Sequence, residues 1–458
     1  MQYIMRIKVD RQLKKLAKIL DGDLYIVGGA VRNAILGKKD TDVDITGSKT
    51  PEEVIEILDK NGIKYVCPYA SFGSVLIVLK DKTYEYTTFR KDSYLVGHKP
   101  LGVEYVKTVE EDCKRRDFTV NAIYYNVLNR QVIDCLGGVK DLKAGVLRAC
   151  NGEQTFKEDG LRILRMIRFY GELGFGIEEE TLEFAKKHVH NLADISGERK
   201  REEIDKILLS DLRYSKTPDR QRLHDTLMFM EEVGATKYLF PGLEKGVGMY
   251  QSEKYHAFDV FEHSVWACAL SKPELRLAGL LHDIGKPEGV FRDDNFHKHD
   301  EYGEELCYQI LGQNGLKYPN DFVKRTARLV REHMKDLNGD MKERKLRVFI
   351  LKNADIIEDL ISVKIADGCA CKLTDGISIS AYKMMTLLKI MREEDLPFSV
   401  KELEINGREV IEIIGEDNKN FTAKTLDKLL EYVAVKDVIN EKESLKKKVL
   451  RAFKEVAN

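Results

Sequence analysis

Two aspartates separated by one residue, Asp42 and Asp44, are the first residues in the chain whose types and spacing suggest catalysis. They alternate with apolar residues in Asp-Val-Asp-Ile, and the two-residue period of a strand directs both carboxylates to one face. Neighbouring carboxylates repel each other unless a divalent cation lies between them, and such oxygen ligands suit Mg²⁺ bound to substrate phosphates. The pair therefore predicts a two-metal site that polarises an attacking hydroxyl and stabilises a leaving pyrophosphate. Glu85, in the predicted strand 84–89, is a candidate third carboxylate, with an ordinary exposed strand glutamate as the alternative.

A pair of glycines, Gly28 and Gly29, lies between the apolar run 24–27 and the start of a predicted helix. Two glycines allow a backbone to approach a polyphosphate closely, and the N-terminus of the helix that follows favours anions. A plain strand-to-helix turn is the alternative interpretation. The aspartates that follow favour the phosphate-binding interpretation.

Six residues in the second half of the chain form another constellation: His263, His282, Asp283, His299, His333 and Asp367. They lie on several separate predicted helices, so that a bundle could direct them to one point. Imidazoles and carboxylates together suit transition metals as well as Mg²⁺, and a bound metal could generate hydroxide for attack on a phosphoester. We expect His263, His282, Asp283 and Asp367 to bind one metal ion, with His299 and His333 completing a second position or contacting phosphate. The alternative is a scatter of partly buried polar residues in a helical bundle.

The elements that must position these residues change character near residue 150. Before it, short β-branched runs alternate with amphipathic patterns of helical period, which predicts an α/β head over residues 1–150. The predicted strands lie at 24–27, 43–45, 75–79, 84–89 and 122–126, and the helices include 12–20 and 52–61. Beyond it helical periodicity dominates in three blocks, 151–249, 250–375 and 376–458. The predicted fold class is α+β.

The composition limits the function classes. The 75 Lys and Arg balance 76 Asp and Glu, which excludes a globally cationic binder but not a local basic track. No stretch approaches the roughly 20 apolar residues of a membrane span, and the N-terminus has no secretory apolar region, so we expect a cytoplasmic protein without membrane contacts. The eight cysteines form no Cys-x-x-Cys pair. Even the closest pair, Cys369 and Cys371, lacks partner ligands in sequence, which predicts small buried side chains in a reducing compartment.

The N-terminal motifs resemble, in order, those of bacterial CCA-adding tRNA nucleotidyltransferases and their poly(A) polymerase relatives. The matching segments are Gly28-Gly29-Ala30-Val31-Arg32, Asp42-x-Asp44 with Thr46, Arg115-Arg116-Asp117-Phe118-Thr119-Val120-Asn121-Ala122, Asp134-x-x-Gly137-Gly138-x-x-Asp141-Leu142, Glu158-Asp159-x-x-Arg162 and Ser196-Gly197-Glu198-Arg199. Asn33 departs from the pattern, which has an aspartate after Val-Arg. The histidine-rich half resembles an HD-type metal phosphohydrolase, a domain that some CCA-adding enzymes carry.

The motif Glu158-Asp159-x-x-Arg162 carries the expected choice of nucleotide. On a helix over 158–170, Glu158, Asp159, Arg162 and Arg165 lie on one side, opposite an apolar side that anchors the helix. An aspartate accepts and an arginine donates in a planar fork, so that together they match the Watson–Crick edge of a base. The resemblance implies that Asp159 and Arg162 select CTP and then ATP. A salt bridge on a solvated helix is the alternative.

The resemblance also implies a wider nucleotide site and a loop that adjusts it. The loop is expected at 91–101, around Gly97. The residues expected to bind the nucleotide are Gly28, Gly29, Arg32, Arg115, Arg116, Asp117, Asn121, Glu158, Asp159, Arg162, Arg165 and Arg168, beside the catalytic pair Asp42 and Asp44.

The sequence thus predicts template-independent addition of C, C and A to tRNA 3′ ends from CTP and ATP, with release of pyrophosphate. The expected organisation is a nucleotidyltransferase head (1–150), a helical neck and body (151–249), an HD-type phosphohydrolase domain (250–375) and a helical tail (376–458) whose basic segment 441–454 is a candidate tRNA contact. Two alternatives stay open. One is a partial activity, namely CC-adding, A-adding or poly(A) polymerase. The other is chiefly an HD-type phosphohydrolase with an RNA-binding N-terminal half.

Overall fold

The computed structural model describes residues 7, 9–38, 42–67, 73–80, 82–94 and 100–457, and only the backbone of 92–94 and 100–102 within these ranges. The chain forms two compact units, one of residues 1–244 with 313–318, and the other of residues 245–312 with 319–458.

The first unit contains the strands and the first eleven helices. The strands are β1 Tyr25–Val27, β2 Asp44–Gly47, β3 Lys64–Val66, β4 Ser74–Leu79, β5 Lys82–Thr88, β6 Arg90–Tyr94, β7 Pro100–Tyr105, β8 Ile123–Asn126, β9 Val132–Asp134, β10 Val146–Leu147 and β11 Gly176–Ile177. The helices are α1 Arg11–Ile19, α2 Gly29–Ile35, α3 Pro51–Lys60, α4 Val109–Asp112, α5 Gly138–Ala144, α6 Gln154–Glu158, α7 Leu161–Leu173, α8 Glu179–Lys187, α9 Gly197–Leu208, α10 Arg220–Glu232 and α11 Thr236–Leu239.

Seven of these strands form one mixed sheet in the order β3-β4-β5-β2-β1-β8-β9. Strand β2 runs antiparallel to β1 and parallel to β5, so the strand that begins at Asp44 lies inside the sheet. Strands β6 and β7 pair antiparallel with each other, and β10 pairs parallel with β11. The loop predicted over 91–101 is therefore wrong at its ends, which belong to β6 and β7, and its centre at Gly97 lies outside the described residues.

Local sequence explains how the helices around the sheet begin. Helix α3 starts with Pro51 behind a capping box, in which the Thr50 hydroxyl accepts from the Glu53 N–H and the Glu53 carboxylate accepts from the Thr50 N–H. Its inward residues Val54 and Leu58 are fully buried. Helix α2 has no side-chain cap and follows Gly28, whose φ of 75° suits glycine.

The regular elements in the described part of the second unit are helices. The helices are α12 Val260–Leu270, α13 Arg276–Leu281, α14 Lys286–Asp293, α15 His299–Leu311, α16 Asn320–Glu332, α17 Glu343–Lys352, α18 Ile357–Ala370, α19 Ile379–Glu393, α20 Gly407–Ile414, α21 Thr422–Ala434 and α22 Lys442–Ala457. One apolar core joins residues from Leu275 to Ala452. A mixed-sheet head and a helical remainder confirm the predicted α+β class. No helix in the described part of the chain is long and apolar enough to cross a membrane.

Candidate active sites

The paired aspartates open onto a cleft in the first unit, with a volume of about 1070 Å³. Most of the residues predicted to bind nucleotide line this cleft with them. Those predicted residues are Gly28, Gly29, Arg32, Asp42, Asp44, Arg116, Asp117, Asn121, Arg165 and Arg168. Tertiary structure thus brings together residues that are more than a hundred positions apart in sequence, on α2, β2, the turn 119–121 and α7.

The position of Asp44 follows from the sheet. Strand β2 pairs in parallel register with β5, Ile45 opposite Tyr86, so Glu85 stands beside Asp44. Desolvation by the cleft walls, followed by the Glu85 carboxylate, raises the pKa of Asp44 above its ordinary value. Gly28 lies directly against it, because a Cβ at that glycine would stand 3.7 Å from Asp44 Oδ2. Carboxylate oxygens next to a glycine backbone are the ligand type that suits a hard divalent cation bridging to phosphate.

A buried polar network connects α2 with α7 along the cleft wall. Arg32 Nη1 donates to Asn121 Oδ1 at 2.7 Å, and Asn121 Nδ2 donates to Asp117 Oδ1 at 3.1 Å. Arg165 completes the path with two donors to Asp117 Oδ2, at 2.8 and 2.6 Å. Burial acts to raise the pKa of Asp117. The charge and hydrogen bonds of Arg165 act in the opposite direction, and the pKa falls to about 2. Each member fixes the orientation of the next, so the cations that line the cleft are held in place before any ligand arrives.

Asn33, which departs from the family pattern, is fully buried beside this network. Its Oδ1 accepts from Arg32 Nε at 3.1 Å and from the Tyr214 hydroxyl at 3.0 Å. The amide oxygen thus serves as an acceptor that orients Arg32.

A fully buried carboxylate, Asp112, orients the two arginines that follow it. Arg115 Nε donates to Asp112 Oδ1 at 2.8 Å, and Arg116 Nη2 donates to Oδ2 at 3.2 Å. The Tyr124 hydroxyl also donates to Oδ2 and accepts from Arg116 Nε. Burial raises the pKa of Asp112, but the two guanidiniums lower it to about 2. Asp112 therefore stays ionised and holds Arg116 at the cleft.

The helix predicted over 158–170 is wrong at its N-terminal end. Helix α6 ends at Glu158, Asp159 is extended with φ −143° and ψ 106°, and α7 begins at Leu161. Gly160, just before α7, packs so closely against Asn191 that a Cβ there would stand 2.9 Å from the Asn191 backbone. Asp159 Oδ1 instead accepts from the Leu161 N–H at 3.0 Å, satisfying an N–H group at the start of α7.

The structure also places four predicted residues away from the cleft lining: Arg115, Glu158, Asp159 and Arg162. Arg162 is buried, and its guanidinium donates to the carbonyl oxygens of Thr155 at 3.0 Å and of Arg115 at 2.6 Å. Asp159 Oδ2 accepts from Arg199 at 2.9 Å. These groups bind other parts of the protein in this state, which the sequence does not reveal.

In the second unit, the six histidine and aspartate residues converge on a buried point. We call His263, His282, Asp283, His299, His333 and Asp367 the histidine–aspartate cluster. His263 Nε2 lies 3.2 Å from His282 Nε2 and 3.1 Å from Asp367 Oδ1. His299 Nε2 lies 3.4 Å from His333 Nε2 and 3.3 Å from Asp283 Oδ1. The ligand atoms form two groups that could each hold a metal ion, His263–His282–Asp367 and Asp283–His299–His333.

Backbone carbonyls orient three of the four imidazoles. The Nδ1 atoms of His282, His299 and His333 lie 2.8, 2.7 and 2.6 Å from the carbonyl oxygens of Gly279, Phe296 and Val330. An imidazole that donates from Nδ1 presents Nε2 as its metal-binding atom, so these contacts select the tautomer that a metal needs.

The cluster balances its own charges. Asp283 is 2% exposed, and its Oδ2 lies 2.6 Å from Lys286 Nζ and 3.2 Å from His282 Nε2. Burial raises the pKa of Asp283, but His282 and Lys286 hold it well below its ordinary value. Burial lowers the pKa of His282, but Asp283, followed by Asp367, raises it to about 10. A metal ion that binds here must therefore displace a proton.

Family models match three parts of the chain: the Poly A polymerase head domain over residues 24–148, the Probable RNA and SrmB- binding site of polymerase A over 174–217, and the HD domain over 254–370. An A-adding tRNA nucleotidyltransferase of Deinococcus radiodurans is 34% identical over 329 residues, 67% of this chain and 71% of the relative. A CC-adding tRNA nucleotidyltransferase of Thermus thermophilus is 30% identical over 429 residues, 89% of each chain. The chain belongs to the tRNA nucleotidyltransferase family.

The structure of this nucleotidyltransferase also matches that of the Bacillus stearothermophilus CCA-adding enzyme in complex with CTP, with a TM-score of 0.68 and 26% identity. That match covers 97% of this chain and 98% of the other. The chain spans about half the length of several CCA-adding enzymes, for example 46% of the one from Streptococcus thermophilus, at 44% identity over 193 residues. The predicted family resemblance and the predicted enzyme class are confirmed. Enzymes of this family use divalent metal ions, and the described residues include groups that could hold them.

Sequence reasoning missed several residues of both sites in this nucleotidyltransferase. Asp112 precedes Arg116 by four positions, a helical spacing that indicates an ion pair but not its burial. Lys286 follows Asp283 by three positions in the same way. His256 and Cys371 lie beside the cluster with no recognisable spacing between them.

Proposed function

We propose that this nucleotidyltransferase adds C, C and A to the 3′ ends of tRNA, using CTP and ATP and releasing pyrophosphate. The observation that carries the proposal is the convergence of Asp42 and Asp44 with five arginines in one cleft of the first unit. A cleft that offers both carboxylates and guanidiniums matches a polyphosphate that must be held beside a metal.

The residues of the cleft supply binding and orientation. Asp42 and Asp44 would hold Mg²⁺, which polarises the attacking 3′-hydroxyl and stabilises the charge on the α-phosphate. Arg116, held by Asp112, and Arg165, held by Asp117, present donors to the triphosphate oxygens. The Gly28 backbone lies close enough to the carboxylates for phosphate to approach between them.

Base selection requires a rearrangement of local contacts. For Asp159 and Arg162 to meet the edge of a base, Asp159 must release Arg199, and Arg162 must release the carbonyls of Thr155 and Arg115. Each of these contacts is a hydrogen bond that an incoming base can replace in kind.

The remaining assignments complete the proposal. The head would comprise residues 1–150, the neck and body 151–249, the HD-type domain 250–375 and the tail 376–458. The basic terminal segment 441–454 would contact tRNA from helix α22, whose residues Leu445, Val449 and Ala452 are buried. The protein would act in the cytoplasm.

The test supplies the enzyme with transcripts of one tRNA that end before the first C, after C, after CC and after CCA. Labelled CTP or ATP is added alone and together, and the products are resolved at single-nucleotide length. Full activity extends the first three substrates to CCA and leaves the fourth unchanged. Addition that stops after CC, or that starts only from CC, would replace the proposal by the activity named for the Thermus or the Deinococcus relative.

A second activity is favoured by the histidine–aspartate cluster. Two adjacent groups of nitrogen and oxygen ligands, with Asp283 between them, suit a metal phosphohydrolase, and we propose that the cluster hydrolyses a phosphoester independently of CTP and ATP. The fit rests on the three backbone carbonyls that select the metal-binding tautomer.

The test of this second activity compares the full chain with its His282→Ala/Asp283→Ala variant. Bound metal is measured after loading with Mg²⁺, Mn²⁺, Ni²⁺ or Zn²⁺, alongside hydrolysis of a panel of phosphodiesters and phosphomonoesters. The proposal is supported if the variant loses both metal binding and hydrolysis while nucleotide addition continues. Hydrolysis that survives in the variant, or the absence of bound metal, would show that the cluster is structural.

A further inference from the structure

Beside the histidine–aspartate cluster lies a group of different chemistry, His256, His263 and Cys371. One ligand atom from each residue lies within 4.8 Å of the others. Of the three, only His263 belongs to the HD-type pattern, and His256 and Cys371 are half-buried. The sequence predicts no role for Cys371 beyond packing, because no partner ligand stands near it along the chain.

The fold holds these residues together by contacts of the backbone and of the rings. The Ala257 N–H donates to the Cys371 carbonyl at 2.8 Å, which joins the segment before α12 to the end of α18. The rings of His256 and His263 meet edge to face, with centroids 5.0 Å apart. Cys371 caps the C-terminus of α18 in a helical conformation, one turn after Asp367, so that both side chains project from the same side of the helix.

His263 differs from the other imidazoles of the cluster. The Nδ1 atoms of His282, His299 and His333 each face a backbone carbonyl, but Nδ1 of His263 is buried and has no hydrogen-bond partner. The His263 side chain is fully buried, and its Nε2 faces His282 and Asp367. A buried polar atom with no partner is unfavourable, so Nδ1 of His263 is a candidate to bind a ligand. Nδ1 of His256 is likewise buried without a partner.

We propose that His256, His263 Nδ1 and the Cys371 thiolate form a third metal position, which binds a thiophilic divalent ion such as Zn²⁺ or Co²⁺. A sulfur and two imidazole nitrogens favour such ions over Mg²⁺. Ligands of one tetrahedral ion stand roughly 3.5 Å apart, so the group contracts by about an ångström or less from its present spacing. The half-buried positions of His256 and Cys371 give an ion access from solvent.

Binding at this position has a definite proton balance. Cys371 coordinates as thiolate and its thiol proton passes to solvent, as does the Nδ1 proton of His263 when that ring bridges two metals as imidazolate. The position shares His263 with the proposed phosphohydrolase site and rests on that proposal only in this respect.

The experiment loads the full-length protein with Co²⁺ and records its near-ultraviolet absorption. A thiolate bound to cobalt gives a sulfur-to-metal charge-transfer band that nitrogen and oxygen ligands alone do not produce. We expect this band in the wild type and in Cys369→Ser, the matched control two residues earlier on α18. We expect its loss in Cys371→Ser and Cys371→Ala and its weakening in His256→Asn. Bound cobalt should fall by one ion per chain in the Cys371 variants, whose folding is verified by circular dichroism.

The other outcomes are distinct from one another. A wild type without the band, whose bound cobalt nevertheless falls in His282→Ala/Asp283→Ala, would overturn the third position and leave the phosphohydrolase site intact. A band that persists in both Cys371 variants would assign the sulfur to another cysteine and overturn the proposal. If no cobalt binding depends on the cluster residues, both the third metal position and the phosphohydrolase site would be overturned.

Discussion

The aspartate cleft of the first unit and the histidine–aspartate cluster of the second unit differ in the solvent exposure and in the ion pairing of their carboxylates. Asp42 and Asp44 are exposed, and Glu85 stands beside Asp44 and raises its pKa. Asp283, in contrast, is 2% exposed and lies within 3.3 Å of two histidines and a lysine. Asp42 and Asp44 of the cleft are thus open to solvent, whereas Asp283 of the cluster is paired with buried side chains around it.

This difference indicates what each site can accept. An open cleft of about 1070 Å³ has room for a nucleoside triphosphate with its metal ions, and its exposed carboxylates are accessible to an entering ligand. A buried cluster with imidazoles fixed by backbone carbonyls is preorganised for metal, but each ion must first displace a proton. The four experiments below test this contrast.

The largest effect is expected from Asp44→Asn. Loss of a metal-binding carboxylate at the reacting phosphate should lower the rate of nucleotide addition by about a thousandfold or more, because charge stabilisation is lost. The stability of the head should hold or rise slightly, since repulsion from Glu85 is relieved. Single-turnover addition and urea unfolding measure the two effects.

Asp59→Asn, an exposed carboxylate at the end of α3, serves as the control for Asp44→Asn and should leave the rate unchanged. A rate for Asp44→Asn within tenfold of the wild type would exclude this carboxylate from the mechanism.

Asp112→Asn tests the buried ion pair that holds Arg116 at the cleft. Removing one partner of a buried ion pair should lower the free energy of unfolding by about 3 kcal/mol at pH 7. The pKa of Asp112 is lowered from 3.8 to about 2, so its stabilisation is fully present above the ordinary value and is lost as pH falls toward 2. In urea unfolding between pH 8 and pH 3, the difference in the free energy of unfolding between the wild type and Asp112→Asn should therefore stay constant down to about pH 4. Below that pH the difference should shrink.

Glu110→Gln, an exposed carboxylate on the same helix α4, is the matched control for Asp112→Asn and should change stability by less than about 0.5 kcal/mol. Equal effects of the two substitutions would mean that Asp112 does not organise the arginines.

The cluster should show a proton-linked metal affinity. Because the pKa of His282 is raised to about 10 in the metal-free protein, this ring is protonated at neutral pH, and the ion must displace that proton. Affinity for Zn²⁺ should therefore rise about tenfold per pH unit between pH 6 and pH 9, in titrations with a competing chelator. Asp44→Asn should keep this dependence and His282→Asn should lose it. A flat profile in the wild type would show that the imidazole is already neutral.

The smallest effect is expected from Asp159→Ala. Loss of one hydrogen bond to a base should reduce the preference for CTP over UTP by about fivefold to tenfold, with little change in the affinity for triphosphate. Arg199→Ala removes only the partner of Asp159 in the present state and should keep the preference. An equal loss of the preference for CTP over UTP in the two variants would indicate that the Asp159–Arg199 salt bridge is purely structural. Single-nucleotide kinetics with CTP, ATP, UTP and GTP measure the difference.

The contrast between the sites also shows how far sequence reasoning extends. The motif order predicted the cleft residues Asp42, Asp44 and Arg165, and the histidine spacing predicted the cluster, because both consist of polar residues in local patterns next to apolar runs. The helix through Asp159 was wrong, because Asp159 is extended and its carboxylate accepts from the Leu161 N–H at the start of α7. The apolar periodicity of 158–170 does not reveal such a break.

The sequence by itself determined the α+β class, the family and the residue types of both candidate sites, because periodicity and residue type are local properties of the chain. Only the tertiary structure decided which of these residues face a cleft and which are occupied elsewhere. Arg162 and Arg165 stand three positions apart on α7, yet the first donates to buried carbonyls and the second lines the cleft beside Asp117. Likewise, Cys371 meets His256 only because α18 and the segment before α12 pack together. Side-chain partners depend on contacts between distant segments, which no local pattern records.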